Sequence, residues 1–216
     1  GTITGSANGT IAITETSDVS VNTITNAGNG TVALTSTNGS IMGKNTAVAD
    51  LTTGTGTVTL TAGDAAGDAS SVVNMKVSTG GNLNAYARGQ DGSNMSVNLR
   101  GSIAGNLVAQ NNSGGGATVG NILLGSAADN LGVTGTTAFN TTDDMISYGN
   151  LVGAVSGSAA RIGITDTAGD FTSGGLTASS GTGWNGASDE SLIVVSNVGD
   201  ILGTGYTASG AANIRL

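Results

Sequence analysis

Short runs in which apolar residues alternate with Thr, Ala or Ser, each opened by a glycine, recur along the chain. Gly30-Thr31-Val32-Ala33-Leu34-Thr35 follows Gly9-Thr10-Ile11-Ala12-Ile13-Thr14 and precedes Gly56-Thr57-Val58-Thr59-Leu60-Thr61. A period of two sends successive side chains to opposite faces, so each copy is predicted to be a short strand with one face buried. The copies start 21 and 26 residues apart, which is too far for tight hairpins but suits one unit repeated with loops of variable length. Between them Val19, Val21 and Ile24 alternate, and Ile41, Val48 and Leu51 do so more loosely, with Asn-Gly, Gly-Asn and Thr-Gly turns as punctuation.

A second pattern is glycine, a small polar residue, then an aliphatic or aromatic one. It occurs at Gly39-Ser40-Ile41, Gly81-Asn82-Leu83, Gly101-Ser102-Ile103, Gly105-Asn106-Leu107, Gly120-Asn121-Ile122, Gly149-Asn150-Leu151, Gly169-Asp170-Phe171 and Gly199-Asp200-Ile201. The last two copies share a tail, since Leu176-Thr177-Ala178-Ser179 stands to Phe171 as Tyr206-Thr207-Ala208-Ser209 stands to Ile201.

No window of ten or more residues carries apolar positions three and four apart without glycine or β-branched interruption, so essentially no helix is expected. Coils of roughly 20 to 30 residues, each holding two or three strands, describe an all-β parallel β-solenoid in which strands pair with their equivalents above and below. At about 4.8 Å per strand, some eight to ten coils would build a rod roughly 40 to 50 Å long. Stacked like residues would form its core, with Ile11, Val32 and Leu60 positions on one ladder and Leu83, Ile103, Leu151, Phe171 and Ile201 on another. The whole of residues 1–216 reads as one solenoid segment. Two stretches depart from the alternation, Ser126 to Tyr148 and Ser179 to Glu190, and both are expected to project as loops, where repeat proteins commonly carry their binding elements.

Composition agrees with a core of small residues. Glycine occurs 38 times, proline and cysteine are absent, and aromatics are 3%, which leaves no large-ring core. Charged residues are only 9% while hydrophobic ones are 38% and mean hydropathy is +0.14, the opposite of the low-hydropathy, high-charge signature of disorder. The formal charge of −8 and pI of about 4.1 disfavour nucleic acid as a partner, and the six cations are scattered. Without cysteine there are no disulfides or thiolate metal sites. No run reaches the roughly eighteen apolar residues of a membrane-spanning helix. A chain opening on Gly1 without methionine and closing on Leu216 in a strand-like run reads as a fragment of a longer repeat protein, and no cap is visible at either end.

The Gly-Thr-Val-x-Leu-Thr strands, the Asn38-Gly39-Ser40-Ile41 turn and the Gly-Asp-Ile repeats resemble the repeat regions of filamentous-haemagglutinin-like adhesins and related autotransporter passengers, exported surface proteins of Gram-negative bacteria. The resemblance spans nearly the whole chain as a style of repeat. It implies a right-handed parallel β-helix, export to the cell surface, and a role as the shaft of an adhesin or surface filament. The partners to expect are then a host or neighbouring cell surface, or further copies stacked end to end, with glycans as a further candidate.

Candidate chemistry is sparse. Parallel β-helices also cleave polysaccharides, and glycoside hydrolysis needs two carboxyl groups about 5 to 9.5 Å apart. Asp143 with Asp144, Asp189 with Glu190, and Asp64 with Asp68 are the pairs to consider. Neighbours on a strand point to opposite faces, and the chain has no histidine. Solvated turn residues are the better reading of these acids, so no enzyme activity and no cofactor is expected. Asp64 and Asp68 in Gly63-Asp64-Ala65-Ala66-Gly67-Asp68 superficially resemble a calcium repeat but miss its spacing. The glycines at 114–116 lack the lysine and helix of a phosphate loop. Asn-x-Ser/Thr triplets, as at Asn8 and Asn140, follow from the composition. Among larger side chains Trp184, Tyr148 and Tyr206 are the ligand-binding candidates, since an exposed aromatic beside a groove can stack on a sugar ring or fill a partner's pocket.

Overall fold

The computed structural model describes residues 2–63, 71–89, 95–113, 120–180, 182–184, 190–208 and 213–216. The described residues form strands and turns with no helix, and every strand pairing is parallel. The chain is a parallel β-solenoid of two sheets. Sheet I stacks ten strands along its path, from Thr2–Ala7 through Val19–Asn26, Ser71–Thr79, Met95–Ile103, Met145–Leu151, Ile162–Asp166 and Glu190–Ser196 to Asn213–Arg215. Sheet II stacks nine, from Ile11–Glu15 through Val32–Ser36, Val58–Ala62, Leu83–Gly89, Leu107–Ser113, Thr137–Asn140, Val155–Ala159 and Phe171–Ala178 to Ile201–Gly203. Two coils split their sheet I strand in two, as Ile41–Gly43 with Leu51–Thr53 and Ile122–Leu124 with Leu131–Val133.

The repeated six-residue runs stack in register, Ile11 on Val32 on Val58 and Ile13 on Leu34 on Leu60. The shared tail does the same, with Leu176 on Tyr206 and Ala178 on Ala208. Inward positions of both sheets form one apolar core in which Leu34, Leu60, Val73, Leu99, Leu107, Ile162 and Phe171 are fully buried. Each such side chain contributes about 1.5 to 3 kcal/mol, so stability accumulates coil by coil. The expected ladders need two corrections. Val58, not Leu60, lies on the ladder of Ile11 and Val32. Leu83, Phe171 and Ile201 belong to sheet II, whereas Ile103 and Leu151 belong to sheet I. The tripeptide signature that opens the sheet II strands at Leu83, Phe171 and Ile201 also closes the sheet I strands that end at Ile103 and Leu151, so the signature alone merged two ladders.

At the sheet II corner the glycines sit on one another. A Cβ on Gly56 would lie 2.1 Å from the Gly30 carbonyl oxygen, and one on Gly81 2.3 Å from that of Gly56. Any side chain there would force the coils apart, which explains why glycine opens each copy. The small polar residue that follows closes the turn above it. Asn82 Oδ1 accepts from Asn106 N at 2.8 Å, Asn106 Oδ1 from Thr136 N at 2.9 Å, and Asp170 Oδ1 from Asp200 N at 2.9 Å. These side-chain oxygens satisfy backbone donors that the corner leaves outside the ladders.

The expected loop at 126–148 is also corrected. It holds Leu131–Val133, Thr137–Asn140 and the first half of Met145–Leu151, all in register with their neighbours. Strands of three and four residues are too short for period-two alternation to show. Residues 134–136 and 141–144 are the corners between these strands, and Ser126 to Asn130 forms the longest turn, with Ser126 N and Asp129 N each donating to the other's carbonyl. Lys76 ties this turn to the 44–50 excursion, meeting the Asp129 carboxylate at 2.9 Å and the Thr46 and Ala47 carbonyls at 3.4 Å. The stretch 179–190 separates Phe171–Ala178 from Glu190–Ser196.

Candidate functional site

The two sheets turn very different surfaces outward. Sheet II presents a polar row, Thr14, Thr35, Thr61, Tyr86, Gln110, Asn140, Ser158 and Thr177, each directly above the last. Sheet I presents Asn74, Asn98, Leu123, Ile146, Gly163, Ile193 and Arg215 in one row. Tyr148, Thr165 and Val195 form a second row beside it. Toward its C-terminal end sheet I is therefore apolar from Leu123 to Ile193, with Arg215 closing the row.

Trp184 lies on this apolar end. Its segment is anchored where it leaves sheet II, with Ser179 N and Ser180 N donating to the carbonyls of Ala159 and Ala160 at 2.9 and 2.8 Å. It is anchored again where it enters sheet I, with Trp184 N donating to Glu190 O at 3.1 Å. Gly163 leaves a gap between Ile146 and Ile193, and the indole fills it, since a Cβ on Gly163 would meet Trp184 Cζ2 at 3.4 Å. The Arg161 guanidinium stacks on the indole at 4.6 Å, a cation–π contact. Arg161 is itself held by Asp144, Nε to Oδ1 at 2.8 Å and Nη2 to Oδ2 at 2.6 Å. Such a two-point fork fixes the guanidinium plane. This hydrogen bonding raises the Arg161 pKa further above its usual value.

A groove of about 300 Å³ opens beside the indole, bounded by Ile146, Tyr148, Thr165, Trp184, Ile193 and Val195. The structure thus brings Tyr148 and Trp184 together and leaves Tyr206 apart. Tyr206 stands on sheet II, packs against the core, and donates its hydroxyl to Leu202 O at 3.0 Å. Burial raises its hydroxyl pKa. The acids fare differently from one another. Asp144 is buried and committed to Arg161, while the Asp143 carboxyl is raised above its ordinary range first by desolvation and then by Asp144 beside it. Asp64, Asp68 and Asp189 lie outside the described residues. Among the described residues no group of three or more His, Cys, Asp or Glu gathers as a metal site, and no helix is long and apolar enough to cross a membrane.

Sequence reasoning missed Arg161, Gly163, Asn98, Arg100 and Asn150. Alternation marks such positions as outward, but which of them become neighbours depends on a register that variable coil lengths conceal. Thr137 and its partner Val155 are 18 residues apart, whereas Phe171 and Ile201 are 30 apart. Compared with protein-family models, curated proteins and solved structures, the chain matches none of them. What the groove can do is therefore read from its own groups, which are suited to non-covalent recognition through an aromatic face, aliphatic walls and hydroxyl, amide and guanidinium edges.

Proposed function

We propose that the chain is a non-catalytic segment of the shaft of an extracellular filament or adhesin on a Gram-negative bacterial surface. The observation that carries this reading is the pair of unbroken parallel ladders, ten and nine strands deep, running the length of the chain. Ladders of this kind resist pulling and proteolysis because each strand is bonded above and below, and the low-charge Thr- and Asn-rich surface of sheet II suits an exposed rod. The resemblance of the Gly-Thr-Val-x-Leu-Thr runs to exported adhesin repeats supports the same reading. Antibodies against the chain test it on intact and permeabilised source cells. Labelling of intact cells along surface projections is expected, and labelling confined to permeabilised cells contradicts it.

The polysaccharide-cleaving alternative rests on one observation, the meeting of Asp143, Asp144 and Arg161 next to the Trp184 groove. Asp144 is neutralised by its fork with Arg161, and that arginine is occupied in seating Trp184. These groups accordingly serve to seat Trp184, the strap residue that lies across Gly163. Turnover of any polysaccharide that is abolished by Asp143→Ala would reverse this assignment.

A further inference from the structure

Polar atoms without partners are distributed unevenly between the two outer surfaces. Among the described residues, the outward-pointing side chains with a buried, unpartnered polar atom are Asn98 at Oδ1, Arg100 at Nε, Asn150 at Oδ1 and Trp184 at Nε1. All four stand on sheet I or against it, and the outer surface of sheet II has none. Each lines a depression in that surface. Asn98 and Arg100 share one of about 220 Å³ with Asn74 and Ser126, Asn150 lines one of about 170 Å³, and Trp184 lines the groove already described.

Leaving a buried donor or acceptor unmade costs about 1 to 3 kcal/mol, so four on one surface call for a common explanation. Two are donors, Arg100 Nε–H and Trp184 Nε1–H, and two are amide oxygens that accept. We propose that the outer surface of sheet I binds a neutral, hydroxyl-rich oligosaccharide, with a sugar ring against Trp184 and Tyr148 and hydroxyls on Asn98, Arg100 and Asn150. The four atoms are covered in the free chain, and a hydroxyl, which both donates and accepts, satisfies either kind once the side chain turns its polar edge toward the depression it lines. It also satisfies an asparagine amide in either orientation, and oxygen and nitrogen of such an amide are assigned from the surrounding hydrogen bonds. An apolar protein partner would leave all four atoms unpaired.

Charge points the same way. Lys76 is paired with Asp129 and Arg161 with Asp144, and Arg100 donates to the neutral Asn74 Oδ1 at 2.8 Å, so among the described residues Arg215, at the far end of the row, is the cation of this surface left without an acid or amide partner. A polyanion would be repelled by the net charge of −8. From the Asn98 strand to the Gly163 strand is three strand steps, about 14 Å at the usual spacing, which asks for a chain of sugars in place of one.

This inference deepens the adhesive reading by naming its ligand class, and it is tested separately from it. Trp184 is the only tryptophan, so its fluorescence reports on the site directly. The intact chain is titrated with cellohexaose, maltohexaose and chitohexaose, and with heparin as the polyanion, with calorimetry giving affinities for the variants. A saturable fluorescence change with at least one neutral hexasaccharide is expected. Asn98→Leu should weaken that binding at least tenfold, and Thr61→Val on sheet II should leave it within twofold. Asn150→Val supplies the same readout if Asn98→Leu fails to fold. The proposal is overturned if no neutral hexasaccharide binds, if heparin binds best, or if Thr61→Val is as damaging as the sheet I variants. Surface labelling of cells is independent of all these outcomes, so the shaft reading can survive their failure.

Discussion

The outer surfaces of sheets I and II are built on the same parallel ladder, yet one is a nearly uniform polar row and the other carries grooves, a tryptophan strap and unpaired polar atoms. Sheet II repeats Thr, Tyr, Gln, Asn and Ser at one register position and Ala, Thr, Asn, Val and Ser at the outward position beside it. Sheet I mixes Asn, Leu, Ile, Gly and Arg along a single row, and unequal neighbours leave depressions. Interruptions add to this, because the 44–50 and 126–130 excursions and Trp184 all border sheet I. Regularity makes a shaft, and its local loss makes a site.

The largest effect is expected where both surfaces share a support. Gly56→Val places a side chain against the Gly30 carbonyl, where even a Cβ would come within 2.1 Å. It should lose about 3 kcal/mol or more in urea denaturation, in the range of strained or overpacked sites. A loss below about 1 kcal/mol would mean the corner glycines are not stacked.

Next comes a direct contrast of the surfaces through their aromatics. Trp184 fills the gap over Gly163 beneath Arg161, whereas Tyr86 stands in the sheet II row with Arg88 4.7 Å above its ring. Trp184→Ala should cost about 2 kcal/mol because it uncovers the apolar end of sheet I, and Tyr86→Ala should cost under about 0.5 kcal/mol. Equal losses would erase the distinction between strap and surface residue. Gly163→Leu should mimic Trp184→Ala by evicting the indole, read as a red shift of its fluorescence.

The smallest effect is the pH dependence set by Asp166, on the inward side of sheet I. Its carboxylate is fully buried and accepts from Leu151 N at 3.0 Å, while its second oxygen has no partner. Burial raises its pKa above the ordinary 3.8, against the opposing hydrogen bonds from Leu151 and Thr167. The native state then holds the proton more tightly than the unfolded chain, so this group's contribution falls as pH rises through a window that opens near 3.8 and ends at the raised native value. Asp166→Asn should match the parent at pH 3 and be the more stable of the two at pH 7. A stability difference that does not change between these pH values would show that the carboxylate is not desolvated.

Much of the architecture was legible from residues alone. Period-two alternation identified the strands, and the copies at Gly9, Gly30 and Gly56 announced the stacking because their apolar residues recur at fixed offsets from a glycine that the corner requires. The tail shared by Leu176 and Tyr206 located a pairing outright. The short strands Leu131–Val133 and Thr137–Asn140 stayed hidden, since three or four residues carry no readable period. The site was harder still. Trp184 and Tyr148 stood out as rare aromatics, but Arg161 and Gly163 gain their meaning only from a cross-coil register that coil lengths of 17 to 32 residues conceal.

Distances along the solenoid axis test the central claim most directly, and a chain without cysteine accepts pairs of spin labels without background. Thr14, Gln110 and Thr177 occupy one outward row of sheet II, four coils and then three coils apart. Electron–electron double resonance should give about 19 Å for the 14–110 pair, about 14 Å for 110–177 and about 34 Å for 14–177, the last being the sum of the others. Distances that fail to add in this way, with 14 and 177 closer together than 14 and 110, would contradict a single stacking axis.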